Sequence, residues 1–561
     1  MEQKLAMYRL SAGVVFSLVF YACSDPQSAL QQPLTEVEAD LHRHIAVLAA
    51  DEFEGRAPGT AGEDKTVAYL SQEFAALGLL PGNGDSWFQE VPITSVDAKP
   101  SAIVVRRPGY QRELVLGEEV NVGTMQQVSQ VVVQDSPLVF AGYGIVAEER
   151  GWNDYAGLDV TGKTVLVLVN DPGYASQDEA LFNGNRMTYY GRWTYKYEEA
   201  ARQGAEAVLV VHETGAAGYP WGVIGSPEAR IGLTAENRHL DRAGVEGWIS
   251  RAMAEELLTA AGLDYQSMKD AAVRPGFKAV DLGGMSFSVT LNSTLSSSMS
   301  KNVVARIAGA KFPEEHIIYS AHWDHLGMRP QQEGDNIYNG ASDNASGTAA
   351  LLAIARQFQQ RRQAPLRSIL FLALTAEESG LLGSRWYAEN PLYPLETTVA
   401  NLNMDNIYGM LDGRTTEVAV VGHGYSELED YLVRAAAGQD RTVVPEPSPE
   451  KGYYYRSDHF NFARAGVPAL DTTRSNASRE HGNVWGQSRL DAYTANIYHQ
   501  PGDEYFPDWD LSGSAEEALL FYQVGSTLAD SRDFPNWSAT SEFRAERDRS
   551  SSRRALILSA E

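Results

Sequence analysis

The sequence predicts an α/β protein with a mostly parallel central sheet flanked by helices and a β-rich module inserted into it. Strand candidates at 303–307, 317–320, 369–375, 399–404, 418–421 and 467–470 alternate with helix-forming runs at 347–358, 380–389, 425–436 and 513–530. That alternation implies a sheet covered on both faces. Between about 130 and 285 the texture changes to short β runs, such as Thr164-Val-Leu-Val-Leu-Val169, separated by Gly and Asp turns. A chain of 561 residues, 43% hydrophobic and 21% charged, is also too long for a single core to serve it all.

The amino terminus reads as an export signal over residues 1–23. Lys4 and Arg9 precede an apolar run from Leu10 to Ala22, too short to span a bilayer comfortably. Ala22-Cys23-Ser24 resembles a bacterial lipoprotein processing site, at which Cys23 would be lipidated and become the mature terminus. Phe20 stands where such sites more often carry Leu, so a plain signal peptidase cut is the alternative. Either route predicts an exported protein of the periplasm or cell envelope, attached to a membrane only through Cys23. As the only cysteine, Cys23 forms no internal disulfide.

Residues 24–34 read as a linker, and 35–129 as the first part of the main domain. Thr35-Glu-Val-Glu38 forms a capping box ahead of Leu41, Ile45 and Leu48 at helical spacing. Asp51 to Gly62 is a Gly/Pro loop whose charges read as structural. Val67, Leu70, Phe74 and Leu77 then mark a second amphipathic helix closed by Gly78. The module at 130–285 carries a helix, Tyr197-Glu-Glu-Ala-Ala-Arg202, leading into the strand Ala207-Val-Leu-Val-Val211. Its Gly142-Tyr-Gly-Ile145, Asp154-Tyr-Ala-Gly-Leu-Asp159 and Gly162-Lys-Thr-Val165 runs resemble a protease-associated domain. It shows no catalytic cluster, and His212 and His239 read as ordinary polar residues. Residues 286–535 complete the main domain, and 536–561 form a charged, Ser/Arg-rich tail. With 46 basic against 73 acidic residues, a net −27, the chain should repel nucleic acid and anionic membrane surfaces.

Chemistry-bearing side chains collect at the ends of the predicted strands. His322-Trp-Asp-His-Leu-Gly327 follows the strand ending at Ala321, and Asp343 lies on a Gly/Asn/Asp/Ser loop just ahead of a helix. Thr375-Ala-Glu-Glu-Ser-Gly380 ends another strand with adjacent carboxylates whose side chains point in different directions. Asn401-Leu-Asn-Met-Asp405 and Tyr498-His499-Gln-Pro-Gly-Asp503 add a further carboxylate and a late imidazole. Imidazoles and carboxylates on such loops suit a divalent metal.

In this order the motifs resemble peptidase family M28, the co-catalytic zinc aminopeptidases, many of which carry a protease-associated insertion. The resemblance spans about residues 36 to 530. It implies a zinc-dependent exopeptidase fold of the phosphorylase/hydrolase-like type, two zinc ions per chain, and peptide substrates with a free amino terminus. By the same resemblance His322 and Asp405 would hold one zinc, Glu378 and His499 the other, and Asp343 would bridge both. Glu377 would be the general base for a water activated between them, and the Asp343–Asn344 peptide bond would be cis. The oxyanion-stabilising role falls on Tyr454, with Tyr453 or Tyr455 replacing it if the register shifts by one. Asp324 and Asp503 would orient His322 and His499, and His325 and His459 would be structural. Ser342 departs from the second Asp many relatives carry, and Asn403 is a possible competitor for the place of Asp405. Rival readings are a carboxypeptidase or dipeptidase of the same fold, in which Arg456 and Arg474 could receive a terminal carboxylate; a glutaminyl cyclase-like acyltransferase; and a non-catalytic binding lipoprotein.

Overall fold

A single 28-residue strand, Val280–Ile307, runs through both halves of the protein. The computed structural model describes residues 34–224, 229–405, 413–473 and 475–559, so the expected signal segment with Cys23, nearly all of the expected 24–34 linker and Arg474 lie outside the described residues. The strands that matter here are β1 (Phe88–Pro100), β2 (Val120–Gly123), β3 (Gln130–Phe140), β4 (Thr164–Leu168), β5 (Ala207–His212), β6 (Val245–Ser250), β7 (Val280–Ile307), β8 (Phe312–His322), β9 (Arg367–Leu374), β10 (Thr398–Asn403) and β11 (Ala469–Leu470). They form one continuous sheet in the order β11-β10-β8-β9-β7-β3-β4-β5-β6-β2, with β1 paired to β7 off this path.

The amino-terminal part of β7 pairs with β3 and its last residues, Val303 to Ile307, pair with β9. Apolar residues are buried at both ends, Met285, Phe287, Val289 and Leu291 at one and Val303, Val304 and Ala305 at the other, so each end belongs to a different core. The stretch between them is Ser-rich, pairs with β1 and is largely exposed.

In the main half β8 lies between β9 and β10, parallel to both, and β10 is parallel to β11. Every residue of β9, Arg-Ser-Ile-Leu-Phe-Leu-Ala-Leu, is buried, as expected of a strand covered on both faces. Period-2 alternation sorts the side chains. Ile317, Tyr319 and Ala321 face a core with helices Leu34–Leu48 and Ser512–Ala529, whereas Ile318 faces the opposite layer with Tyr387 and Phe462. Each of Leu41, Ile45 and Leu48 on the first helix is fully buried, worth about 1.5–3 kcal/mol apiece. The last of these helices can dock closely because Gly525 has no side chain. A Cβ there would lie 1.9 Å from the Tyr319 hydroxyl, which donates to the carbonyl of Phe521 at 3.0 Å.

The inserted half is also α/β. Strands β3, β4, β5 and β6 are mutually parallel; the helix Trp193–Arg202 lies between β4 and β5, and the helix Arg251–Ala260 follows β6. Its core gathers Ile103, Val105, Leu114 and Val120 as well as residues of 130–285, and extends to Leu291. Two sequence expectations change. The strand expected at 418–421 is found at Glu417–Val420, but it pairs with Thr442–Pro445 and Thr472–Thr473 in a separate small sheet, because the edge of β10 is already taken by β11. The tail carries a helix, Arg544–Ser559, fastened by buried Arg547, whose guanidinium donates to the carbonyls of Thr398 and Val399 at 2.9 and 3.3 Å. No helix among the described residues is long and apolar enough to cross a membrane.

Candidate metal centre

Parallel strands β8, β9 and β10 end side by side, so the residues just beyond them share one edge of the sheet. Strand β8 ends in His322, the turn after β9 carries Glu377 and Glu378, and Asp405 stands two residues beyond β10. Asp343 belongs to the irregular turn Ala341–Ala345 ahead of the helix Ser346–Gln359, and its peptide bond to Asn344 is cis, as the resemblance implies. The Asn344 side chain fastens this turn by donating to the carbonyl of Met404 and accepting the N–H of Gly347, each at 2.9 Å.

The structure brings the five expected metal-ligating residues together. His322 Nε2 is 3.3 Å from Asp343 Oδ1 and 3.3 Å from Asp405 Oδ1. His499 Nε2 is 3.3 Å from the other oxygen of Asp343 and 3.2 Å from Glu378 Oε2. Asp343 therefore faces one imidazole with each oxygen.

These residues fit a pair of cations. Charge-assisted N–H···O bonds are typically 2.7–2.9 Å, shorter than all four separations. Bonds of about 2.0–2.1 Å to a tetrahedral ion instead put neighbouring ligand atoms about 3.3 Å apart. His499 Nε2 is buried without a hydrogen-bond partner, as a nitrogen meant for a cation would be. Burial pushes the Glu377 carboxyl well above its usual range, and Asp405, Glu378 and Asp458 push it the same way against the pull of His322. So many carboxylates cannot all ionise in a small volume unless positive charge joins them.

Neighbouring groups hold the backbone of the ligand-bearing turns. Asp324 accepts the backbone N–H of Glu377 at 3.0 Å and of Glu378 at 3.3 Å, while His322 Nδ1 lies 3.1 Å from the Asp324 carbonyl oxygen and 3.8 Å from its carboxylate. Asp503, expected beside His499, instead accepts the N–H groups of Ser342 and Asp343, each at 3.0 Å. It supports the bridging residue. Asn403 is engaged elsewhere, accepting from Ser320 at 2.7 Å and donating to Ser457 at 2.8 Å, which leaves the metal-facing place to Asp405.

Three residues take positions that the sequence did not signal. His325, expected to be structural, has its Nδ1 2.7 Å from Glu378 Oε1. Arg56, from the loop read as structural, is buried and donates to the carbonyls of Leu48, Trp323, Asn339 and Gly340 at 2.6, 2.8, 2.6 and 2.9 Å. It ties the segments bearing His322 and Asp343 to the first helix. Tyr498 stacks on His499 with centroids 3.9 Å apart, and the carboxylates of Asp343, Glu378, Glu377 and Asp405 join burial in raising its hydroxyl's pKa.

Tyr454, expected to stabilise the oxyanion, is held among aromatic side chains. Its ring packs on Tyr425, Tyr455, His459 and Phe543 in an aromatic cluster, and its hydroxyl is buried there without a partner. Tyr453 is exposed and Tyr455 donates to Glu542 at 2.8 Å. His459 Nδ1 lies 3.5 Å from Asp471 Oδ2.

A paired imidazole–carboxylate cluster at the carboxyl ends of a parallel sheet gives this α/β protein a candidate metal centre. Residues 302–523 match the description of peptidase family M28. Among curated relatives it is similar to the aminopeptidase NAALADL1 of Mus musculus, 36% identical over 127 residues, covering 22% of this chain and 16% of that one. The glutamate carboxypeptidase 2 homolog of Caenorhabditis elegans is 31% identical over 158 residues, covering 27% of this chain and 19% of that one. The matches thus span less than a fifth of these relatives' own length. The solved aminopeptidase from Aneurinibacillus sp. strain AM-1 shares the fold with a TM-score of 0.51 at 19% identity, covering 88% of this chain and 95% of that one.

Proposed function

We propose that the protein is an exported metallo-exopeptidase that holds two zinc ions and removes amino-terminal residues from peptides. The observation that carries this reading is the placement of Asp343 between His322 and His499, one oxygen 3.3 Å from each imidazole. His322 and Asp405 would hold one ion and Glu378 and His499 the other, with Asp343 shared between them. When bound, zinc at such a site supplies Lewis acidity that polarises a carbonyl and brings the pKa of a water toward neutrality.

Glu377 supplies the base. Its carboxylate takes the proton of the attacking water and passes it to the leaving amine, a step worth roughly 10²–10⁴ in rate. The Tyr498 hydroxyl, held by the stack on His499, donates to the carbonyl oxygen as charge develops on it.

The charge balance supports trimming from the amino end. Glu377, Asp458 and Asp471 each feel the charge of Asp405, and what acidity the ions do not neutralise favours an ammonium over a carboxylate. Arg456 is occupied, lying over the rings of Tyr219 and Tyr453 and donating to the carbonyl of Ala217 at 3.3 Å. A second reading, a carboxypeptidase or dipeptidase, draws on the carboxypeptidase name of the Caenorhabditis elegans relative. Export to the cell envelope, with or without lipid on Cys23, rests on the run from Lys4 to Ser24, and the protease-associated assignment of the inserted half rests on its motifs.

A panel of amino-acid anilides, their amino-blocked counterparts and carboxy-blocked dipeptides tests the reading. Free-amino substrates should be hydrolysed and blocked ones spared, with activity lost on chelation and restored by zinc. Equal hydrolysis of amino-blocked substrates would overturn the aminopeptidase assignment. Glu377→Gln should keep zinc and lose activity by several orders of magnitude.

A further inference from the structure

We propose that His325 is a positioning residue that sets the affinity of one of the two ion sites, by taking one oxygen of Glu378 and leaving the other for the ion. This rests on the two-zinc reading above. A carboxylate can only accept, so the proton in the 2.7 Å contact between His325 Nδ1 and Glu378 Oε1 is carried by Nδ1. The other oxygen, Oε2, lies 3.2 Å from His499 Nε2. The two oxygens of Glu378 are therefore not equivalent, and the carboxylate offers a single atom toward the ion it shares with His499.

The imidazole of His325 is held where it can do this. Its side chain is fully buried, its backbone N–H donates to the carbonyl of Arg56 at 3.4 Å, and the His499 ring meets it edge-on with centroids 5.6 Å apart. Gly340, at φ +55°, lies flat against the ring, where an added Cβ would come 2.5 Å from Cγ and 2.6 Å from Cδ2. Arg56 donates from its guanidinium to the carbonyl of that same glycine, so this one residue fixes both sides of the imidazole's seat, one through its backbone carbonyl and one through its side chain.

The opposite site is built differently. His322 directs its Nδ1 toward the carbonyl oxygen of Asp324, 3.1 Å away, and no hydrogen bond from His325 reaches Asp405 or His322 among the described contacts. Removing the His325 donor should therefore weaken the ion held by Glu378 and His499 and spare the one held by His322 and Asp405. Loss of a hydrogen-bonded partner of a metal ligand typically costs 10–100-fold in metal affinity.

The test uses the full chain with His325→Phe, which keeps a ring but removes the donor, and His325→Asn, whose amide nitrogen stands near the place of Nδ1. Zinc stoichiometry is measured by mass spectrometry after dialysis against a graded series of competing chelator, with thermal melting as the control for folding. The parent should release its two ions in two steps. In His325→Phe one of the two steps should shift by about 10–100-fold toward lower chelator while the other stays in place, and His325→Asn should return it most of the way. Unchanged steps in His325→Phe, an equal shift of both, or failure of His325→Asn to restore the shifted step would overturn the proposal, the last marking His325 as a ligand rather than a donor. If His325→Phe does not fold, the contrast between His325→Asn and His325→Ala decides it on the same steps. A parent that binds fewer than two ions would instead overturn the two-zinc reading, independently of His325.

Discussion

The carboxylate of Asp324, beyond the end of one strand, accepts the backbone N–H of Glu377, beyond the end of the next, at 3.0 Å, and that of Glu378 at 3.3 Å. One carboxylate thus positions both adjacent glutamates of the centre. Asp324→Asn would turn an amide NH₂ toward one of these N–H groups. The expected outcome is a fall of about 10–100-fold in kcat with little change in KM, measured by steady-state kinetics on a free-amino anilide.

Arg56 reaches four carbonyl oxygens on three segments. Truncation removes this donor from all four, while Gly340 keeps the N–H of Ala345 at 3.1 Å; the loss is about 1–3 kcal/mol for each carbonyl left unpaired that water cannot reach. Arg56→Ala should therefore melt well below the parent and lose zinc at lower chelator concentration. Arg56→Lys, with a single ammonium on a flexible stem, should recover only part of both.

Two tyrosines separate the sequence expectation from the structure. Tyr498→Phe should lower kcat by about 10²-fold, in the range of a lost oxyanion donor, because its ring is stacked on His499 at the centre. Tyr454→Phe should leave kcat within a few-fold, because its hydroxyl is enclosed by the aromatic cluster. Parallel kinetics of the two variants check the contrast.

Acid should destabilise the fold through buried neutral histidines. Burial, helped by neighbouring arginines, pushes His44 and His316 down to about 3. The unfolded chain takes up a proton at each near pH 6.5 and the folded chain does not until about pH 3. Stability from these groups is thus fully present above about pH 6.5 and is lost as pH falls toward 3, by about 1.4 kcal/mol per unit for each. His316→Phe, filling the space beside Tyr393, should flatten the fall in melting temperature between pH 6.5 and 4.

Much of the centre was legible in the sequence because parallel strands deliver their ends to one place. His322, Glu377, Glu378 and Asp405 each follow a short apolar run that the structure shows as a strand, so their convergence follows from sheet topology. Asp343 was legible from the loop before its helix. The contact of His325 with Glu378 was not, because a single histidine carries no spacing signal and its partner lies 53 positions away. Asp503 sits close to His499 in sequence yet bonds the backbone at 342 and 343, since a turn with His499 at φ +58° redirects the chain. Counting back from Ser457 to Tyr454 crosses a 3-10 turn, Tyr453–Tyr455, in which successive side chains point in different directions. The exposed helix Gly482–Asn496 gave little signal, having only Gly486 and Tyr493 buried and no apolar face for periodicity to reveal.

The central claim is that one carboxylate is shared between two cations. Crystals grown with zinc and measured at its absorption edge test this most directly. Two anomalous peaks are expected, one between His322 and Asp405 and the other between Glu378 and His499, with Asp343 bonded to both. A single peak, or two peaks of which neither touches Asp343, would contradict the account.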